Sequence, residues 1–184
     1  MADTLPAAQA TCSYTVGMTS RPLAAILLTL FLLPVVLAAA PDLVILLRHA
    51  EKEAMAADNP HLNTAGRERA AALKNVVEAL TTKIPVRAIF TTEFLRTRET
   101  AAPLAADLHI VPIATNGDII DKVLAIHGGT VVIVGHSNTV PGFIAALGGP
   151  AGTVIGDAEF DHLYVVAAPG TPQTKFAALT YGER

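Results

Sequence analysis

The stretch that decides the fold is "LVILLRHAEK", residues 43–52. It begins with a continuous aliphatic run, which is typical of a strand that is covered on both faces of a sheet. The run ends abruptly in Arg48, His49 and Glu51. Ionisable groups at a buried strand tip are costly unless they are paired or used, because they lose their hydration there. The stretch therefore predicts a buried strand whose carboxyl end reaches an active site.

Apolar runs alternate with helical patterns along the rest of the chain. Further strands are predicted at 86–92, 109–113, 130–136, 162–168 and 174–182, and the last two have little sequence between them, as in a hairpin. Helices are predicted at 65–80, 93–108, 116–127 and 139–149. Asn63 or Thr64 is placed to cap the first helix. The alternation predicts an α/β fold, a three-layer sandwich with a mostly parallel central sheet.

The first predicted helix shows one apolar face with the spacing of an amphipathic helix. The residues predicted to be buried on it are Leu73, Val76, Val77 and Leu80.

Length and charge restrict the class of protein. The chain has 184 residues, of which 52% are hydrophobic and 16% charged, with a net charge of -3. This length suits one globular domain with a good core. The absence of a basic stripe in the sequence argues against a nucleic-acid partner.

Residues 18–42, "MTSRPLAAILLTLFLLPVVLAAAPD", have the three parts of a secretory signal peptide. We expect a signal region at 1–40, with cleavage after Ala40 or one residue earlier, and a catalytic domain at 41–184. Met18 is a candidate for the true start. The mature protein would be periplasmic or secreted, with no stable membrane contact. The alternative is an uncleaved membrane anchor, although Pro34 interrupts the short apolar run. Cys12, the single cysteine, precedes the cleavage point.

Basic side chains and imidazoles follow several of the predicted strands. Arg48 and His49 end the first strand, Arg96 follows the second, and His136 ends the fourth. In open α/β sheets, ligands bind outside the carboxyl ends of the strands. Two guanidinium groups and two imidazoles at one crevice suit a phosphoryl group. Taken singly, His136 is more often structural, and Arg96 would be a solvated helix residue like Arg98.

Four segments of the chain resemble the histidine phosphatase superfamily, which has the phosphoglycerate mutase-like fold. "LLRHAEK" resembles its Arg-His-Gly signature, and "TTEFLRTRETA" its second motif, Ser-Ser-x-Leu-x-Arg-x-x-Gln-Thr-Ala. "IVGHSNTV" is similar to the motif of the second histidine, and "HLNTAGRERAAAL" to the start of a family helix. The resemblance runs in the correct order from about residue 42 to residue 147.

The resemblance implies a role for each matching residue. His49 would attack phosphorus and form a phosphohistidine, with its tautomer held by a backbone carbonyl. Arg48, Arg96 and His136 would bind the phosphoryl oxygens and stabilise the transition state. The arginines supply the positive charge, so no metal and no other cofactor is expected. Water would then hydrolyse the phosphohistidine.

The chain departs from the family pattern at two points. Ala50 replaces the glycine of the signature, which is tolerated if its φ is negative. The family's acidic residues that protonate the leaving oxygen are missing, and the candidates for this acid are Glu51, Asp118 and Asp161. Glu51 is favoured, against the alternative that it pairs with Lys52 or Arg48 and only shapes the pocket.

The turn after His136 offers two more polar side chains. Ser137 and Asn138 would donate to the phosphate at the start of the following helix, or one of them would simply cap that helix.

These observations favour an exported phosphomonoester hydrolase that acts on a small-molecule or glycan-linked phosphate ester. Three alternatives stay open: a phosphoglycerate mutase-like phosphoryl transferase, a phosphate-binding module without turnover, and a cytosolic phosphohistidine-protein phosphatase. The sequence holds no signal for the oligomeric state.

Overall fold

The structure is a computed structural model, and it describes residues 40–54 and 58–182. The predicted signal peptide and Cys12 lie outside the described residues. The strands are β1 (Leu43–Arg48), β2 (Val86–Thr91), β3 (Ile113–Ala114), β4 (Thr130–Gly135), β5 (His162–Ala167) and β6 (Lys175–Thr180). The helices are α1 (Thr64–Thr81), α2 (Leu95–Leu108), α3 (Ile119–Leu124) and α4 (Val140–Ala146).

The strands form one sheet in the order β3-β2-β4-β1-β5-β6. The pairs β3–β2, β2–β4 and β4–β1 are parallel, whereas β5 runs antiparallel to β1 and forms the hairpin with β6. The prediction of a mostly parallel sheet in an α/β fold is therefore confirmed.

Strand β1 lies in the middle of the core, and all of its residues are buried. Val44 and Leu46 pack on one face of the sheet, with the residues of α3 and α4. Ile45 and Leu47 pack on the other face, with α1 and α2. Because successive side chains of a strand point to opposite faces, this division produces the three layers.

Helix α1 begins as its sequence indicates. The Gly66 N–H donates to Asn63 Oδ1 at 2.8 Å, so that Asn63 rather than Thr64 is the N-cap. Leu73 and Val77 are buried as predicted, whereas Val76 and Leu80 are only partly buried.

The third strand and the following helix are shorter than predicted. His109, the expected start of the strand, caps α2 in the left-handed conformation (φ 54°), and Val111 is 85% exposed. The chain needs these residues to turn back after α2, so β3 begins only at Ile113. Gly117 has a positive φ in the next turn, and helix α3 starts after it.

Within residues 40–54 and 58–182, none of the helices has the length and apolar character that crossing a membrane requires.

Candidate active site

The sheet register brings the two histidines to the same edge. Arg48 of β1 pairs with Gly135 of β4, so His49 and His136 leave adjacent parallel strands at the same level. The His49 N–H donates to the Gly135 carbonyl at 2.9 Å. The imidazole rings lie with their centroids 5.3 Å apart and their planes at 66°. The expected convergence at the carboxyl ends of the strands is therefore present.

The ring of His49 is fixed by a backbone contact. Its Nδ1 lies 2.8 Å from the Ala50 carbonyl oxygen. A carbonyl only accepts hydrogen bonds, so Nδ1 carries the proton and Nε2 keeps a free lone pair. The Thr100 hydroxyl in turn accepts the Ala50 N–H at 2.9 Å. Ala50 is buried and has no positive φ, as its replacement of glycine requires.

The two arginines reach the site from different elements, each beside an aromatic ring. Arg48 is buried, and its guanidinium carbon lies 4.1 Å from the centre of the Phe160 ring. Its Nη1 donates to backbone carbonyls of residues 156, 157 and 159 at 2.7–3.3 Å. The guanidinium carbon of Arg96 lies 4.2 Å from the centre of the Phe94 ring. Arg98, in contrast, is exposed, as predicted.

A row of ring contacts connects the two arginines. The Phe160 ring, below Arg48, lies 6.1 Å from His49, and the Phe94 ring, below Arg96, lies 5.2 Å from His136. With the His49–His136 contact, these rings join all four predicted side chains into one cluster.

Three nitrogen atoms of this cluster have no hydrogen-bond partner among the described residues, although they are buried. They are Nε of Arg48, Nε of Arg96 and Nδ1 of His136. The opposite nitrogen of His136, Nε2, lies 3.0 Å from Thr92 Oγ1. When the threonine hydroxyl donates to Nε2, Nδ1 carries the proton. Buried polar atoms are almost always paired, so the cluster presents donors to a ligand rich in acceptors.

Burial keeps both imidazoles neutral. Desolvation is the main cause that lowers the pKa of His49 to about 4; the Ala50 hydrogen bond raises this pKa, whereas the nearby His136, Arg96 and Arg48 lower it. Desolvation, with the charges of Arg96 and Arg48, likewise lowers the pKa of His136 to about 4. Burial also lowers the pKa of both guanidinium groups, but arginine stays charged in proteins. At neutral pH the site thus holds two positively charged guanidinium groups and a neutral imidazole, His49, whose Nε2 carries no proton.

The structure argues against Glu51 as the general acid. Arg69 Nε and Nη2 donate to the Glu51 carboxylate at 2.7–3.0 Å, and neither Lys52 nor Arg48 is the partner. Burial raises the pKa of Glu51, but the hydrogen bonds from Arg69, a backbone hydrogen bond and the charge of Arg69 together hold the pKa below its ordinary value. A carboxylate that is ionised and tied to a guanidinium has no proton to give.

The other two candidates for the acid are also engaged elsewhere. Asp118 precedes α3, accepts from Thr115 Oγ1 at 2.9 Å and pairs with Lys122 at 3.0 Å. The hydrogen bonds from Lys122 and Thr115 lower the pKa of its carboxyl group. Asp161 lies 3.0 Å from His162 Nδ1. None of these contacts brings either carboxylate to His49 or His136.

Ser137 and Asn138 lie in the turn between β4 and α4, where they were predicted. The N-cap of α4 is Thr139, so neither of the two residues caps the helix. Thr139 Oγ1 accepts the His136 N–H at 3.0 Å, which fixes the backbone of the second histidine. Asn138 is exposed and Ser137 half-buried.

Sequence reasoning did not single out four residues that support the site. In the sequence, Arg69 cannot be told from the other charged residues of α1. Thr92 matches the second motif, but the match indicates no contact with His136. Phe94 lies two positions after Thr92 within the second motif, and this position is the signal that could have placed it at the site. Phe160 lies in a loop without any pattern, and nothing in the sequence indicates its contact with Arg48.

Among the described residues, no group of three or more histidine, cysteine, aspartate or glutamate side chains is arranged to hold a metal ion.

The sequence and fold match known proteins. A family model, the histidine phosphatase superfamily (branch 1), matches residues 44–119, a range that contains His49 and Arg96. No curated protein sequence matches the chain. The resemblance in sequence to this superfamily is confirmed over residues 44–119 by that match, and solved structures have a similar fold. The superfamily match supports phosphatase activity in general and does not identify a substrate.

Three solved structures illustrate the similarity in fold. The protein histidine phosphatase SixA in complex with tungstate has a TM-score of 0.58 and 15% identity, over 75% of this chain and 96% of that one. A candidate phosphohistidine phosphatase SixA from Agrobacterium tumefaciens has a TM-score of 0.56 and 18% identity, over 78% and 98%. A mycobacterial glucosyl-3-phosphoglycerate phosphatase with inorganic phosphate has a TM-score of 0.56 and 14% identity, over 76% and 96%.

Proposed function

We propose that this chain, with the sequence signature and the fold of the histidine phosphatase superfamily, hydrolyses phosphate monoesters through a phosphohistidine on His49. The observation that carries this proposal is the cluster of buried donors without partners, Nε of Arg48, Nε of Arg96 and Nδ1 of His136, beside a neutral imidazole. Phosphoryl oxygens are the acceptors that guanidinium groups bind best.

In the first step, Nε2 of His49 attacks phosphorus and the bond from phosphorus to the ester oxygen breaks. The Nδ1 proton stays on its hydrogen bond to the Ala50 carbonyl. The product is therefore a phosphorylated imidazolium, which is a good leaving group for the second step. Arg48, Arg96 and His136 stabilise the charge on the equatorial oxygens during the transfer.

The leaving oxygen needs a proton, and the three candidate carboxyl groups, Glu51, Asp118 and Asp161, are engaged elsewhere. We assign this proton to the substrate, because a phosphate monoester has a second pKa of about 6 and its monoanion still holds one. In the second step water attacks phosphorus, the nitrogen–phosphorus bond breaks, and inorganic phosphate and the neutral His49 ring are released. The water proton leaves with the phosphate or passes to solvent.

An aryl phosphate tests the proposal, because its leaving group needs little protonation. The purified protein is expected to release phosphate from it, and His49→Ala is expected to abolish the release. Arg96→Gln should lower kcat by roughly 10²–10³-fold, the usual cost of one transition-state donor. Arg98→Gln, on the exposed side of the same helix, is the matched control and should keep the activity. Full activity of His49→Ala would disprove the proposal.

The rival functions predict other results. A phosphoglycerate mutase-like transferase would return the phosphoryl group to a second hydroxyl instead of water. A binding module would bind inorganic phosphate without releasing any from the ester. The site favours hydrolysis over a pure binding role, since binding alone does not require a neutral imidazole with its tautomer fixed.

We also propose that the protein acts outside the cytoplasm, on the basis of the signal-like residues 18–42.

A further inference from the structure

The orientation of the His49 ring depends on the backbone of its neighbour, Ala50. At pH 7 the ring is neutral, because burial lowers its pKa to about 4. A neutral imidazole has two tautomers, and only the one with the proton on Nδ1 leaves Nε2 free to attack phosphorus. The Ala50 carbonyl accepts this Nδ1 proton at 2.8 Å. Whatever fixes the backbone of Ala50 therefore selects the reactive tautomer of His49.

Thr100 of α2 holds Ala50 in place. The Ala50 N–H donates to Thr100 Oγ1 at 2.9 Å, although the two residues are 50 positions apart. Both residues are fully buried, and a buried backbone N–H that loses its partner is costly. One residue further along, the Glu51 carbonyl accepts the Asn63 N–H at 3.0 Å. The short segment that carries the Ala50 carbonyl is thus held on both sides.

The direction of each hydrogen bond at Thr100 is fixed by its partners. Oγ1 also lies 2.6 Å from the carbonyl oxygen of Arg96, one helical turn earlier. A carbonyl only accepts, so the hydroxyl gives its single proton to Arg96 and keeps its lone pairs for the Ala50 N–H. One hydroxyl therefore connects the loop of the proposed nucleophile to the turn of α2 that carries Arg96.

We infer that Thr100 is a positioning residue: its hydroxyl keeps the Ala50 backbone where the carbonyl holds His49 in the attacking tautomer. The inference rests on the proposed function, since it concerns the nucleophile of that same site. Thr100 is fully buried and reaches His49 through Ala50, so it acts without touching the substrate. The chemical step should therefore depend on this hydroxyl more strongly than substrate binding does.

Thr100→Val and Thr100→Ser separate the hydroxyl of this side chain from its shape. Valine has the shape of threonine without the hydroxyl, whereas serine keeps the hydroxyl and loses the methyl group. With an aryl phosphate as the substrate, Thr100→Val is expected to lower kcat by roughly 10–100-fold, as a small misplacement of a reacting group does. KM should stay nearly unchanged. Thr100→Ser should keep most of the wild-type kcat.

Thr130→Val is the matched control. Thr130 is also fully buried, and its hydroxyl donates to the Ile84 carbonyl at 2.8 Å. It begins β4, at the end of the sheet opposite to the candidate active site. Both valine variants lose a buried hydrogen bond and therefore stability, which urea unfolding measures. Assayed where both variants are folded, Thr130→Val should keep the wild-type kcat.

NMR of the imidazole 15N nuclei reports the tautomer itself, independently of activity. In the wild-type protein at pH 7 we expect the His49 proton on Nδ1, and in Thr100→Val a mixture in which Nε2 is also protonated. The His49 signals of Thr130→Val should not change. If Thr100→Val does not fold, Thr100→Cys takes its place, because a thiol is only a weak donor and acceptor. It should change kcat and the tautomer in the same direction.

The results distinguish a failure of this inference from a failure of the proposed function. If the wild type hydrolyses the aryl ester and the Thr100 variant without a hydroxyl keeps either its kcat or its His49 tautomer, the inference is wrong and the proposed function survives. Equal losses of kcat in this variant and in Thr130→Val would also overturn the inference, because stability alone would then explain both. If the wild type does not hydrolyse the ester, the proposed function fails, and this inference fails with it.

Discussion

At the scale of single residues, Glu51 has a partner that its position in the sequence does not indicate. The sequence places it two positions after the nucleophile, which favours a role in proton transfer. The structure instead joins it to Arg69, which also donates to the Tyr181 carbonyl at 2.9 Å. The pair thus connects the loop after β1 to α1 and to the end of β6. The sequence does not indicate these contacts, because Arg69 lies 18 positions from Glu51 and 112 positions from Tyr181 along the chain.

The Glu51→Gln variant is therefore expected to affect stability rather than chemistry. Removing the charge weakens a partly buried, hydrogen-bonded pair, and we expect a loss of about 1–3 kcal/mol in the free energy of unfolding. Urea unfolding measures this loss, with the exposed Glu68→Gln as the control. The ratio of alkyl to aryl phosphate hydrolysis should stay constant. A selective loss on the alkyl ester would restore Glu51 as the acid.

The lowered pKa values of the two imidazoles predict how the stability of the folded protein depends on pH. Burial, with the neighbouring charges, lowers the pKa of His49 and His136 to about 4, against roughly 6.5 for an unperturbed histidine. Between these values the unfolded chain binds more protons than the folded one, so the folded state loses stability as the pH falls from about 6.5 to 4.

NMR titration of the imidazole protons measures this directly, and the resonances are assigned with the single variants His49→Gln and His136→Gln. We expect midpoints near pH 4 for both rings. Midpoints at the ordinary histidine value would mean that the rings are hydrated and the site is open.

At the scale of elements, the buried strands and the long helices could be predicted from the sequence. Burial requires the aliphatic runs of β1 and β4 and the periodic pattern of α1. Each of these patterns lies within one short segment, so it can be recognised in the sequence alone. The edge strand β3 could not be placed correctly, since it has only two residues and both are exposed. Its position is set by the turn after α2 and by pairing with β2, neither of which leaves a hydrophobic pattern.

Helix α1 approaches the loop after β1 so closely that position 66 requires glycine. A methyl group on Gly66 would lie 2.1 Å from the Glu51 carbonyl oxygen, so the helix and the loop would have to move apart. We expect Gly66→Ala to destabilise the protein by about 1–3 kcal/mol, as overpacking usually does, and to lower the activity. Urea unfolding and phosphate release are the measurements.

Gly142 in α4 is the matched control, because a methyl group there meets nothing within 4 Å. Gly142→Ala should be neutral or stabilise the helix by about 0.5 kcal/mol. Equal effects of the two substitutions would contradict the close approach.

At the scale of the whole molecule, the sheet order explains why distant motifs meet. Strand β4 lies between β2 and β1, so the segments after three parallel strands share one edge. The motifs indicated which residues converge, and the register of β1 with β4 supplies the distance between them. The support from Phe160, Thr92 and Arg69 could not be predicted, because each contact crosses between elements without a periodic signal.

Export is the prediction that concerns the complete chain. Expressed as the full chain in a bacterium, the protein is expected outside the cytoplasm, with an amino terminus at Ala40 or Pro41 after removal of the signal segment. Cell fractionation and mass spectrometry of the purified protein test both points. An intact chain in the cytosol, or one that stays in the membrane fraction, would contradict export with cleavage.

The most direct test of the account is to find the phosphoryl group on the enzyme. The reaction with an aryl phosphate is stopped in alkali, where phosphohistidine is stable, and the modified residue is located by mass spectrometry. Hydrolysis through a phosphohistidine predicts a phosphoryl group on the ring of His49, and none on that peptide in His49→Ala. Turnover that leaves the label on another side chain, or that continues in His49→Ala, would contradict it.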